Sequence, residues 1–361
     1  MRRLCRLQLA LMTVTSAFLL LDTAAVRAQY STPRSDREPL VDLSDRTLVV
    51  ALVEDPDFPP LDERLVQRAL RFAQAEFRVR FAAEPPRMVV RYRFPIDSFV
   101  SVYARKNDPR CEALFNARYK GRGRSELTPF KATAKRFLSR WDLGAIRGFV
   151  GDKTVDIDSY DDAYAYYARH YTTAVSSLQN LKTPRGTPLV EPTKTSARSF
   201  VAWLCALKRQ VDYDIILTNT FILADLLTEP HPHSVFGKAK IGGIAVTSPA
   251  RPMLGQQVLL ATTFGIDTNL SSLSELNGKP ASFNERAEIL GAYLLAHEIA
   301  HAVFGIPDVF DHPAGCLMTS RPGTSYREGL AELRSYPRPC SKCRPYVQSR
   351  GWMAQSRRAL D

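Results

Sequence analysis

"SFNERAEILGAYLLAHEIAHAVF", residues 282–304, predicts one long helix. Ser282 followed three residues later by Glu285 is the pattern of a capping box at a helix start. Gly305 stands where a left-handed residue would end the helix. Near its end the stretch contains the pattern HExxH, formed by His297, Glu298 and His301. The chemistry of the protein is therefore expected on this helix.

The HExxH pattern predicts a catalytic metal site. Residues four apart lie on one face of a helix, so His297 and His301 can direct ring nitrogens at one ion, for which we expect Zn²⁺. Glu298 is offset by one position and can reach a water on that ion instead. Zinc lowers the pKa of such a water toward neutrality, and a carboxylate beside it can act as general base.

A catalytic zinc ion needs a third protein ligand, and several residues are candidates. A turn at Gly305 would present Asp308, which lies three residues further on. A longer loop would present His312, and imidazole is the commoner zinc ligand. Other candidates lie nearby or downstream, the last two as in a thermolysin-like arrangement: Asp311, Glu328 and Glu332.

The segments "HEIAHAVFGIPD" and "CLMTS" resemble the metzincin metallopeptidases, and within that clan the snapalysin type. The resemblance implies a zinc peptidase with Asp308 as third ligand, Met318 in a Met-turn beneath the metal, and Tyr326 as a donor to the transition state. The family has two residues between the second His and the Gly, whereas this chain has three, Ala302 to Phe304. Asp308 and His312 therefore both remain candidate ligands.

Strand and helix patterns predict an α+β fold interrupted by a helical region. Residues 46–95 read as strand, amphipathic helix and strand, the first part of a catalytic domain. Residues 96–211 read as a helical insertion, and 212–361 as the second part, with strands, the zinc site and a Cys-containing C-terminal segment. The metzincin resemblance implies a twisted mixed sheet beside the active-site helix. It also implies that "GGIAVTS" (242–248) is the rim strand that holds extended substrate.

The N-terminus predicts export. Arg2, Arg3 and Arg6 precede an apolar run, and Val26-Arg27-Ala28 fits a small-x-small cleavage site. We expect residues 1–28 to be a signal peptide and 29–45 a linker, giving a periplasmic or secreted protein without stable membrane insertion. The net charge is +12, but its basic residues are scattered, which argues against a nucleic-acid partner.

Cysteine chemistry follows from the predicted compartment. In an oxidising compartment we expect disulfides. The preferred pairing is Cys316 with Cys340 or Cys343, and Cys111 with Cys205. The alternative is a structural zinc site in which the CSKC cysteines, Cys340 and Cys343, act with Cys316 and His312.

The sequence thus predicts an exported, monomeric zinc endopeptidase, in which a zinc-activated water attacks a protein or peptide substrate with Glu298 as general base. One alternative is a thermolysin-like hydrolase that uses Glu328 or Glu332 as third ligand. Another is a non-catalytic exported binding protein with a vestigial metal site.

Overall fold

The computed structural model describes residues 41–81, 83–104, 138–139, 142–150, 154–166, 168–169, 181–189, 203, 206–207, 213–222, 243–247, 257–267, 281–306, 312–313, 315–318, 325–336 and 340–347. Within these residues the strands are β1 (Val41–Asp42), β2 (Thr47–Glu54), β3 (Ala83–Glu84), β4 (Arg87–Pro95), β5 (Ile215–Thr218), β6 (Gly243–Thr247) and β7 (Gln257–Thr262). β1 pairs with β3, and the other five form one sheet in the order β4-β2-β5-β7-β6. Four of the five are parallel, whereas β6 runs antiparallel to β7 at the end of the sheet.

The helices are α1 (Glu63–Phe81), α2 (Ile96–Ala104), α3 (Leu143–Val150), α4 (Phe264–Asp267), α5 (Phe283–Glu288), α6 (Ala296–Phe304) and α7 (Tyr326–Ser335). A π-helical stretch, Ile289–Leu295, joins α5 directly to α6. These three consecutive segments are called the motif helix below, because α6 carries the HExxH residues.

The mixed α and β composition expected from the sequence is confirmed, and so are its main elements. β2, α1 and β4 form the predicted strand-helix-strand opening, with β2 and β4 parallel. Strands also form where "DYDIILTN", "GGIAVTS" and "QQVLLATTF" predict them. β2 is an uninterrupted apolar run because parallel central strands are covered on both faces.

Alternate residues of β2 point into two hydrophobic cores. Leu48, Val50 and Leu52 pack in the larger core, which also contains α1, the motif helix and α7. Val49, Ala51 and Val53 pack on the opposite face of the sheet in a core with Phe99 and Trp203. The sheet therefore supports the motif helix from one side only, and α6 packs against β6 and β7.

Two local features differ from expectation. The long predicted helix is not α-helical throughout, since its middle turns are π-helical where Gly291 lies against the backbone of Ala69 in α1. The predicted linker 29–45 also ends earlier than expected. Val41 and Asp42 pair with β3, and this short parallel pairing brings the next residue, Leu43, into the larger core.

Other expectations fall partly or wholly outside the described residues. The signal peptide 1–28 lies outside them, as does Cys111 with its predicted partner Cys205. Much of the 96–211 region is also outside, so the bounds of the insertion stay a prediction; α2 and α3 are helical there. Among the helices in the described ranges, none is both long enough and apolar enough to cross a membrane.

An ion pair between Glu285 and Arg327 joins α5 to α7. The Arg327 guanidinium donates from Nε to Oε1 at 2.5 Å and from Nη2 to Oε2 at 3.2 Å, and both side chains are about a quarter exposed. Hydrogen bonding from Arg327 lowers the pKa of Glu285 below its ordinary value of 4.5. The pair therefore stabilises the fold above the pKa of the unfolded state, and this contribution is lost as pH falls through the lower folded-state pKa.

We expect Glu285→Gln to lower the free energy of unfolding by about 0.5–1 kcal/mol at pH 7, the range of a partly screened pair. Urea unfolding at pH 7 and again near pH 3 measures the effect, and the difference from wild type should shrink at the lower pH. Glu84→Gln is the matched control, because its pair with Arg78 is more exposed. An equal loss at both pH values would contradict an ionic origin.

Candidate metal centres

His297 and His301 form the first candidate centre, on one face of α6. Their Nε2 atoms are 3.0 Å apart and their rings are nearly perpendicular. His297 Nδ1 lies 2.7 Å from the carbonyl oxygen of Leu317, and His301 Nδ1 lies against that of Ile306. A carbonyl only accepts, so each Nδ1 carries the hydrogen and each Nε2 carries a lone pair. Both rings are half-buried.

This arrangement fits a metal ion. In neutral rings, two Nε2 lone pairs that face each other at 3.0 Å repel unless a cation, either a proton or a metal ion, lies between them. Two histidines on one tetrahedral zinc ion would have their nitrogens about 3.3 Å apart, from Zn–N bonds of about 2.0–2.1 Å. A backbone carbonyl on the second ring nitrogen is also the usual partner of a metal-binding histidine, because it fixes the tautomer and the ring orientation.

Gly305 ends the motif helix. Three residues separate it from His301, one more than in the metzincin pattern, and the helix accommodates all three. Gly305 adopts a left-handed conformation, φ 68° and ψ 24°, and its N–H donates to the His301 carbonyl at 2.9 Å. The turn brings the Ile306 carbonyl back to the His301 ring. Phe304 continues the α-helix and is buried between Phe77 and Phe81, so packing in the larger core retains it.

Glu298 lies against the first residue of the edge strand β6. Its side chain is buried, and a Cβ atom placed on Gly243 would approach Oε1 to 2.7 Å and Cγ to 3.0 Å. The absence of a side chain at Gly243 therefore makes room for the carboxylate. A carboxylate adjacent in sequence to His297 and held against the sheet edge can serve as a base at this centre.

The remaining residues predicted for this centre have different positions. Met318 is fully buried in the larger core, directly after Leu317, whose carbonyl contacts His297. Glu328 is exposed and forms a capping box with Ser325 at the start of α7. Glu332 is partly exposed, and Tyr326 is buried beside the Tyr293 ring. Asp308 and Asp311 lie outside the described residues.

The second candidate centre consists of His312, Cys316, Cys340 and Cys343. All four side chains are buried, and one ligand atom from each lies within 4.8 Å of every other. His312 Nδ1 is 3.1 Å from Cys340 Sγ and 3.6 Å from the other two sulfurs. Cys343 Sγ is 3.4 Å from Cys340 Sγ and 3.6 Å from Cys316 Sγ. This group, called the Cys/His cluster below, could bind a metal ion.

The Cys/His cluster contradicts the preferred disulfide and consists of the four residues named for the alternative site. Cys316, Cys340 and Cys343 are free thiols, so the disulfide predicted between Cys316 and Cys340 or Cys343 is not formed. Four ligand atoms surround one point instead of two sulfurs meeting at bonding distance. His312, predicted as a ligand beside His297 and His301, directs Nδ1 to the sulfurs of this second centre.

Electrostatics in the cluster favour one thiolate. A hydrogen bond from Cys343, helped by one from His312 and opposed by burial, lowers the pKa of Cys316 to about 4. The pKa of Cys343 is raised by its hydrogen bond to Cys316, and burial raises the pKa of Cys340. A thiolate with two further sulfurs and an imidazole nitrogen around it is a donor set for a soft or borderline cation.

Arg80, which sequence reasoning missed, holds the segment around the cluster. It is buried near the end of α1, pairs with Glu76, and donates to the carbonyl oxygens of Gly315, Leu333 and Tyr336. It thereby joins α1 to the segment before Cys316 and to the end of α7. Its only sequence signal is a charge on the apolar side of an amphipathic helix.

No protein family model, curated protein or solved structure matches this chain.

Proposed function

We propose that the protein is an exported zinc endopeptidase that acts as a monomer. The observation that carries the proposal is the pair of Nε2 atoms 3.0 Å apart on the HExxH helix, each ring with its Nδ1 against a backbone carbonyl. That arrangement, with the buried carboxylate of Glu298 beside it, supports metal-assisted hydrolysis more than a structural role. A purely structural site has no use for a base in this position.

Each residue of the centre has a distinct task. His297 and His301 would hold the ion, and the carbonyls of Leu317 and Ile306 orient their rings. Zinc bound there would acidify a water and polarise the peptide carbonyl. Glu298 takes the proton of the attacking water and passes it to the leaving amine. Burial of Glu298 and its contact with Gly243 favour a single position for the carboxylate.

The edge strand supports an extended peptide as substrate. β6 is antiparallel at the end of the sheet, and within the described residues it pairs with β7 alone. A peptide that adds to β6 on the side away from β7 would gain main-chain hydrogen bonds. Because α6 packs against β6 and Glu298 meets Gly243, such a peptide would lie beside the HExxH residues.

The third ligand of the catalytic ion is proposed to be Asp308, with Asp311 as the alternative. Gly305 turns the chain immediately after α6, and Asp308 follows by three residues. His312 is disfavoured because its Nδ1 faces the Cys/His cluster, and Glu328 because it caps α7. We assign a second zinc ion to the cluster, since thiolates with one imidazole form a common structural zinc site.

The test is metal content and proteolysis of the chain from Gln29 onward, purified under reducing conditions. We expect two zinc ions per chain and cleavage of casein. His297→Ala/His301→Ala should lose one zinc ion and all cleavage, and Asp308→Ala should lose most of that same zinc. His170→Ala is the matched control, because it lies outside both centres in sequence, and it should keep both properties.

Two outcomes would contradict the proposal. If the double histidine variant keeps the full zinc content, the first centre does not bind the ion. If wild type binds zinc and cleaves neither casein nor unfolded peptides, the reading as a binding protein with a vestigial site is favoured.

Gly243→Ala should reduce kcat on the order of tenfold or more, because displacement of a catalytic group by about 1 Å is costly. The added methyl would meet Oε1 and Cγ of Glu298, so the carboxylate must move. Zinc content should stay at the wild-type value, since His297 and His301 are not touched. Gly144→Ala is the control, because its added atom would meet only the exposed side chain of Asp142. Unchanged kcat in Gly243→Ala would show that Glu298 tolerates displacement.

A further inference from the structure

One short segment belongs to both candidate centres. Cys316 contributes its sulfur to the Cys/His cluster, and the carbonyl oxygen of the next residue, Leu317, lies 2.7 Å from His297 Nδ1. The two centres are therefore separated along this segment by a single peptide unit. No side chain is needed for the connection, because the group that reaches His297 is backbone.

The cluster fixes the position of that peptide unit. The Cys316 N–H donates to the Pro313 carbonyl at 3.0 Å, and the backbone of Met318 donates a hydrogen bond to the Cys316 sulfur. Cys340 and Cys343 approach from a separate segment, with the Cys343 N–H donating to the Cys340 carbonyl. An ion held by all four ligands would tie the two segments together at Cys316.

The orientation of His297 depends on the Leu317 carbonyl. Its ring is half-buried, and the hydrogen bond to Leu317 fixes both the tautomer and the direction of Nε2. His301 takes its corresponding bond from Ile306, which follows Gly305 in the turn directly after α6. Of the two histidines, His297 is therefore the one oriented by the segment that contains Cys316.

We infer that metal binding at the Cys/His cluster raises the affinity of the His297/His301 centre for its own metal, with Leu317 as the positioning residue. The inference rests on the proposed function, since it requires that the first centre binds an ion. Loss of a hydrogen-bond partner of a metal-binding histidine typically weakens metal affinity 10–100-fold. Coupling between binding sites is reciprocal, so the first ion must strengthen binding at the cluster by the same factor.

The experiment loads the cluster with Cd²⁺, which prefers thiolates, and then titrates the first centre with Co²⁺. One equivalent of Cd²⁺ added to metal-free wild type should produce thiolate charge-transfer absorption. Co²⁺ binding is then followed by equilibrium dialysis. The comparison is Cys340→Ser/Cys343→Ser, whose cluster cannot hold the ion. We expect the Kd for Co²⁺ to be at least tenfold higher in this variant, and equal Kd values would overturn the inference.

A second measurement covers the case in which the double serine variant fails to fold, as judged by circular dichroism. His297→Ala keeps the cluster ligands, so its Cd²⁺ affinity can be measured by competition with a dithiol. Reciprocity predicts at least tenfold weaker Cd²⁺ binding than in wild type saturated with Co²⁺, and equal affinity would overturn the inference. If Cd²⁺-loaded wild type binds no Co²⁺, the proposed function fails together with the inference. If it binds Co²⁺ without coupling, only the inference fails.

Discussion

Glu298→Gln is expected to reduce casein cleavage by about 10³-fold, within the usual range for loss of a general base. The amide is the same size as the carboxylate, so it still fits against Gly243, but it cannot take a proton from water. The two histidines and their carbonyl partners are untouched. Zinc content should therefore equal that of wild type, and a substrate peptide should still bind.

Initial rates on a quenched peptide, together with zinc analysis of the same samples, measure this effect. Glu328→Gln is the matched control, because Glu328 is exposed and forms a capping box with Ser325. It should keep its zinc and nearly all of its activity. A loss of zinc in Glu328→Gln would instead support the thermolysin-like arrangement. Activity retained in Glu298→Gln would remove Glu298 from the role of base.

Local patterns were sufficient for the main elements and for placing His297 and His301 side by side. β2 and β5 are buried on both faces and are therefore continuous apolar runs, which the sequence displays directly. His297, Glu298 and His301 are close in sequence, so helical geometry alone brings the two imidazoles to one point. Gly305 was predictable because its left-handed conformation excludes most other residues.

Contacts between distant segments were not predictable in the same way. The four residues of the Cys/His cluster were named from the sequence only as the alternative to a disulfide, because the expected oxidising compartment favoured the disulfide. The contact of Gly243 with Glu298 requires that β6 lie at the sheet edge, and the sequence does not give strand order. The contact of Leu317 with His297 is made by a backbone carbonyl, so no residue type in the sequence indicates it.

Removal of metal from the Cys/His cluster should destabilise the whole fold by several kcal/mol. All four ligands are buried in or beside the larger core, and Cys316, Cys340 and Cys343 belong to it. Without an ion, three sulfurs and one imidazole nitrogen stay buried within 4.8 Å of one another with no cation between them. Metal binding to such thiolate sites is worth on the order of 10 kcal/mol in small zinc domains. We expect a smaller loss here, because the hydrophobic core contributes stability that small zinc domains lack.

Thermal unfolding of wild type with and without a strong chelator, under reducing conditions, measures the effect. A loss of about 5 kcal/mol corresponds to a fall in Tm of roughly 7 °C for a chain of about 330 residues, from an unfolding entropy of about 2.1 cal/mol/K per residue. His297→Ala/His301→Ala is the control: it removes the first centre alone, whose rings are half-buried, and should retain most of the chelator effect. In Cys340→Ser/Cys343→Ser the Tm should already be low, and the chelator should change it little further. A chelator effect of wild-type size in the double serine variant would locate the stabilising ion elsewhere. Among the described residues, Arg80 joins the segment before Cys316 to the end of α7. An ion bound by all four ligands would add a direct link between Cys316 and the segment of Cys340 and Cys343.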